Sequence, residues 1–160
     1  MGISKDSKMY KYVVKFIGIM RVESIREKIA NLEEFGISED DVLRLFGSNP
    51  VLLCLSVDKV KRNMSFVVTC LKQPANVVLG CPFLLCNNLE KMMKPRMVVA
   101  GKIDDMGLVP RIDRLNVIKA LRMKEKRFVD TFINCHPPEI RKGLMECFLD
   151  AKQVQVLAKE

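Results

Sequence analysis

The sequence has no tryptophan, and aromatics of any kind make up only 6% of its 160 residues. A β-sandwich core would draw on more aromatics and on threonine. The interior is instead left to Leu, Val, Ile and ten Met, which favours helices. There is one histidine, His136, and none of the six cysteines (54, 70, 81, 86, 135 and 147) sits in a CxxC pair. A closed zinc site needs about four such ligands, and no set with workable spacing is present. With 49% hydrophobic residues the chain does not need a disulfide framework, so the cysteines are expected as buried free thiols. No apolar run reaches the roughly 18 residues that span a bilayer. The opening "MGISKDSKMY" lacks the continuous apolar stretch of a secretory signal and the arginines of a transit peptide. Its sixth residue is Asp6, where myristoylation wants Ser or Thr.

Catalytic signatures are also missing. There is no GxSxG, P-loop or GxGxxG. Cys135 and His136 are adjacent, and neighbours in sequence seldom reach nucleophile–base geometry. No enzyme and no cofactor is expected. What the chain does have is positive charge, +8 in all. It is spread along the length, +3 over residues 1–80 (12 cations, 9 anions) and +5 over residues 81–160 (15 cations, 10 anions). A basic domain points to a polyanion such as nucleic acid, or to a protein that is merely basic.

The chain also repeats itself. Residues 50–62 read "PVLLCLSVDKVKR" and residues 82–94 read "PFLLCNNLEKMMK", an offset of 32. Each Pro suits the first position of a short helical turn, where its missing N–H costs nothing. Ser56 and Asn88 are good N-caps, with Asp58 and Glu90 behind them at the positive helix end. A weaker copy lies 35 residues upstream of the first, with Glu23, Ile25, Arg26 and Ile29 matching Asp58, Val60, Lys61 and Met64. A period of about 32–35 residues is one helix–turn–helix unit, and stacked units form an α-solenoid. The spacing predicts an all-α chain forming one helical-repeat domain over 1–160, with repeats near 7–36, 37–72 and 73–107.

Ser7 is expected to cap a first helix that turns Tyr10, Val13, Val14, Ile17 and Met20 inward, with Lys5, Lys8, Lys11 and Lys15 as a polar outer cap. The next helices bury Val22, Ile25, Ile29 and Leu32; then, behind the cap Ser38, Val42, Leu45 and Phe46; then Val57, Val60, Met64, Val67 and Leu71. Gly36 and Gly107 read as helix stops, "QPANVVLG" as a short helix, and helices are expected at 112–122, 124–134 and 138–150. The tail "KQVQVLAKE" reads as a frayed turn. The tyrosines and phenylalanines fit apolar faces, which leaves no stacking platform for single strands.

These segments resemble the mitochondrial transcription termination factor (mTERF) family, in particular its plant branch. The resemblance runs from about 7 to 150, through "KIANLEEFGISEDDVLRLFGSNPVLLCLSVDKVKRNMSFVV", "CPFLLCNNLEKMMKPRMVV" and "EKRFVDTFI". It is to the C-terminal portion of such a protein, or to a shortened copy. It implies stacked triple-helical repeats in a curved solenoid with a basic concave surface. It implies binding of double-stranded DNA or structured RNA in a mitochondrion or chloroplast, in transcription termination, splicing or ribosome assembly. The competing class is a protein-interaction scaffold of similar period.

The candidate contacts for nucleic acid are Lys59 and Arg62, three apart on one helix face, and Lys91 and Lys94, which repeat them. Arg26 and Lys61 add to these, and so does Arg96. Pro95 interrupts a helical run, so Arg96 either turns outward at a kink or reaches toward freed backbone. Residues 111–127 hold seven cations against Asp113 and Glu125, read equally as a phosphate contact and as a solvated hairpin face.

Overall fold

A computed structural model describes residues 4–153. The fold is all-α: ten α-helices, a 3-10 turn and a π turn, with no strand among the described residues. The chain divides into two compact units, Met1–Cys86 and Asn87–Glu160. The division falls inside the third expected repeat.

The first unit holds α1 (Tyr10–Ile19), α2 (Val22–Glu33), α3 (Glu39–Ser48), the 3-10 turn Pro50–Cys54, α4 (Val57–Thr69), α5 (Val77–Gly80) and α6 (Phe83–Cys86). Helix α2 packs on α3 and α4, the 3-10 turn on α1 and α3, and α4 on α6. The caps form as the sequence predicts: Ser38 accepts from Asp41 N–H (3.3 Å) and Ser56 from Lys59 N–H (3.2 Å). Val42, Leu45, Phe46, Val60, Met64, Val67 and Leu71 are all buried, as helical spacing requires. Gly36 follows α2 with φ +81°, the left-handed conformation of a helix stop.

The second unit holds the π turn Leu89–Met93, α7 (Lys94–Asp105), α8 (Val117–Arg122), α9 (Glu125–Phe132) and α10 (Pro138–Gln153). Asn88 accepts from Lys91 N–H at 2.8 Å. Pro95 has no N–H for a bond back to Lys91. The turn before it widens, with Met93 N–H donating to the Asn88 carbonyl at 3.2 Å, a π bond. Helix α7 packs along α10. The core centres on Phe128, 5.2 Å from the Phe132 ring and 5.8 Å from that of Phe148, with Val99, Ile103, Ile133 and Leu144 around it.

Some expectations fail for local reasons. Ser7 does not cap α1; its hydroxyl accepts from Met9 N–H in the preceding turn and the helix starts at Tyr10. Val13 is buried, but Val14, Ile17 and Val22 are 50%, 40% and 56% exposed, because the inner faces of α1 and α2 are narrower than the apolar pattern. The helix expected at 112–122 starts at Val117. Asp113 captures the N–H groups of Leu115 and Asn116, both at 3.0 Å, and holds 113–116 as a turn. The cysteines are free but none is buried: Cys54, Cys70 and Cys135 are exposed, and Cys81, Cys86 and Cys147 are half-buried. In "PVLLC" and "PFLLC" the paired leucines take the inner face, and the next residue turns about 100–120° away. The end of the tail, 154–160, lies outside the described residues.

One device recurs in both units. Buried Lys28 on α2 donates through Nζ to the Leu55 carbonyl, just past the 3-10 turn. Buried Asn63 on α4 donates through Nδ2 to the carbonyls of Leu84 (2.8 Å) and Leu85 (3.0 Å) on α6. Buried Arg96 on α7 donates through Nη1 to those of Ala120 (2.9 Å) and Leu121 (3.0 Å) on α8. Each acceptor belongs to the end of a short helical segment, where carbonyls lack the full set of partners a helix interior supplies; that of Ala120 also accepts from Met123 N–H at 3.3 Å. Replacing Asn63 with Leu keeps the branching at Cγ, removes the donor and strands two buried carbonyls. We expect a loss of about 1–3 kcal/mol in urea denaturation, and an equal or larger loss for Arg96→Met. Neutral values for both would mean that these bonds carry no stability.

Candidate nucleic-acid interface

The cations singled out in the sequence have three different fates. Arg96 is buried (3% exposed), which removes it from any interface. Beyond its two carbonyl acceptors, its guanidinium lies 4.8 Å from the centroid of the Phe128 ring. Burial pushes its pKa down, against the raising effect of the Glu125 carboxylate. So Arg96 does reach for backbone, but for carbonyls of α8 and not for the one freed by Pro95.

Lys59 is half-buried and bonds the Cys86 carbonyl at 2.7 Å. It ties α4 to the end of α6, beside Asn63. Burial pushes the Cys86 thiol up, opposed by the charge of Lys59, so this cysteine is not primed as a thiolate. Lys61 and Lys94 are exposed but ion-paired, Lys61 with Glu34 at 2.6 Å and Lys94 with Glu90 at 2.7 Å. Exposed pairs of this kind contribute only about 0–1 kcal/mol, so a phosphate can displace either carboxylate.

Arg26, Arg62 and Lys91 are exposed, and among the described residues no carboxylate pairs with them. Arg62 lines a shallow surface depression with Asp58 and Lys61. Of the repeat-helix candidates, those exposed are therefore Arg26, Lys61 and Arg62 in the first unit and Lys91 and Lys94 in the second.

The basic segment 111–127 is exposed at all seven cations. Its two acids are engaged elsewhere, Asp113 with backbone N–H groups and Glu125 with Lys152 at 2.5 Å. Arg111 pairs with Asp104 at 3.6 Å, while Lys119, Arg122, Lys124, Lys126 and Arg127 pair with no described carboxylate. Cys135 faces solvent and His136 is buried, so the adjacent pair does not share one environment.

A protein-family model described as mTERF matches residues 1–129. The chain belongs to the mTERF family. Members of the mTERF family bind nucleic acid and regulate organellar gene expression, and they are not enzymes. No curated protein and no solved structure matches the chain. The family match covers six helices of the first unit, and α7 and α8 of the second, so it includes every cation discussed above up to Arg127. Within this mTERF chain the division between structural and displayed cations has a measurable consequence. Lys59→Met should lower stability by about 1–3 kcal/mol, whereas Arg62→Met should stay within about 0.5 kcal/mol of the parent, both read from urea denaturation midpoints.

Proposed function

We propose that this chain binds double-stranded DNA through exposed cations on its repeat helices and, through that binding, regulates organellar transcription, including its termination. The observation that carries the reading is the set Arg26, Arg62 and Lys91, exposed and with no carboxylate partner among the described residues, in a chain of net charge +8. Lys61 and Lys94 add to the set once their surface glutamates give way. Lys59 contributes field and no direct contact, since its ammonium is committed to the Cys86 carbonyl.

Phosphates held by such cations release condensed counterions, so affinity falls steeply with salt. Duplex contact suits these residues because cations track phosphate without needing to read bases. Structured RNA presents the same phosphates and is the second reading, in splicing or ribosome assembly. The compartment is a mitochondrion or chloroplast, and a plant protein is the source we favour, on the resemblance of the "LEKMMKPR" segment.

The test is binding of a 25-base-pair DNA duplex as a function of salt. For the parent we expect a steep linear fall of log affinity against log salt. Changing Arg26, Arg62 and Lys91 together to Gln should flatten the slope by about 2–3, at roughly 0.9 per phosphate contact. An unchanged slope overturns the assignment of these residues. Tighter binding of an RNA hairpin than of the duplex, at the same salt, transfers the function to RNA.

A further inference from the structure

The turn before α1 and the helix itself gather four lysines around one concavity. Lys5, Lys8, Lys11 and Lys15 line it together with Asp6, Ser7 and Tyr12, and it measures about 570 Å³. That size falls within the range of about 300–1,000 Å³ typical of small-ligand sites. The gathering has a local cause. Ser7 N–H donates to the Ser4 carbonyl and Tyr10 N–H to the Ser7 carbonyl, both at 3.0 Å. This turn brings Lys5 and Lys8 beside Lys11 and Lys15, which follow at the spacing of a helix face.

The concavity is cationic and open. All four lysines are exposed, and among the described residues no carboxylate pairs with them. Asp6 is the one acid in the lining. Four ammonium groups around one space repel each other, and an anion with several charged oxygens relieves that repulsion. Tyr12 lies among them with 56% of its surface exposed, against the expectation that it faces the core. An aromatic face set within a basic groove is the arrangement by which single strands are held. Cations follow the phosphates and a base stacks on the ring, for a gain of about 1–3 kcal/mol per base.

We propose that this concavity binds single-stranded nucleic acid, with phosphodiester oxygens against Lys5, Lys8, Lys11 and Lys15 and a base stacked on Tyr12. It is a site separate from the duplex-binding cations, and it rests on the nucleic-acid binding of the family without requiring duplex contact. An anionic membrane is less well matched. An interfacial helix needs its apolar face free to enter lipid. On helix α1 Val14 and Ile17 are half exposed, but Val13 is buried at 4% exposure and the helix packs on the 3-10 turn Pro50–Cys54, so its apolar face is only partly free, and its lysines are interleaved with tyrosine on one face.

The test uses the full chain and a labelled oligothymidylate of twelve nucleotides, beside an abasic deoxyribose-phosphate oligomer of equal length. The parent should prefer the base-bearing strand by about 5- to 100-fold. Tyr12→Ala should abolish that preference, Tyr12→Phe should keep it, and Lys5, Lys8, Lys11 and Lys15 all changed to Gln should weaken both oligomers at least tenfold. The Arg26, Arg62 and Lys91 variant should bind the oligothymidylate within about threefold of the parent, so loss of duplex binding leaves this result standing. Equal binding of the two strands by the parent, or an unaltered preference in Tyr12→Ala, overturns the proposal. So does a lysine variant that loses phosphatidylserine vesicles and keeps the oligonucleotide.

Discussion

The repeats of this protein depend on a buried side-chain donor reaching the carbonyls at the end of a short helical segment. A short segment is nearly all ends, so most of its carbonyls have no partner within it. Its leucines must nonetheless be buried, as Leu52, Leu53, Leu84 and Leu85 are. Burying such a segment with empty carbonyls would cost a large share of what its leucines return. Lys28, Asn63 and Arg96 resolve the conflict, each from the long helix before the segment it serves. Three chemistries fill one role because the acceptor is generic backbone: an ammonium, an amide and a guanidinium all donate. Arg96 adds the most, since its plane also covers Phe128 at the centre of the second unit's core.

That constraint changes how positive charge should be counted. A cation on a repeat helix either fills the latch or faces solvent, and a tally of Lys and Arg mixes the two. Lys28, Lys59 and Arg96 are drawn inward by carbonyls; Arg26, Arg62 and Lys91 are not. The donors that hold the repeats together and the donors offered to a polyanion come from the same helices.

Much of this was legible in the sequence because it is local. Ser38, Ser56 and Asn88 cap their helices through bonds three residues long, and Val42, Met64 and Val67 follow a helical period. The family was legible too, from ordered motifs matched over most of the chain. The latch was hidden because donor and acceptor lie 21 to 27 residues apart and the acceptor is backbone, which every residue has. The cysteines misled for the opposite reason. They repeat faithfully at 54 and 86, yet what the fold uses at Cys86 is its carbonyl, not its thiol. Asp113 competes for backbone donors, and apolar spacing alone does not register that competition.

The π turn explains why the repeat fails to line up at its most basic point. Up to Lys91 the two copies run in register at 32 residues, and at that offset Arg96 falls opposite buried, apolar Met64. A π turn takes one extra residue into the same helical path. Beyond Leu89–Met93 the structural register is therefore 33, and Arg96 falls opposite Asn63, the residue whose task it performs. The same step sets Met93 opposite Val60, Val99 opposite Phe66 and Ala100 opposite Val67, all buried. It also sets Lys94 opposite Lys61 rather than Arg62, and both of those lysines are exposed and paired with a glutamate. Pro95 supplies the reason, because in a strict α turn its ring would press on the Lys91 carbonyl, and the wider turn moves that carbonyl away. A single imino acid thus rotates the remainder of its helix by about one residue, and the donor of the latch moves one position along the sequence to stay in place.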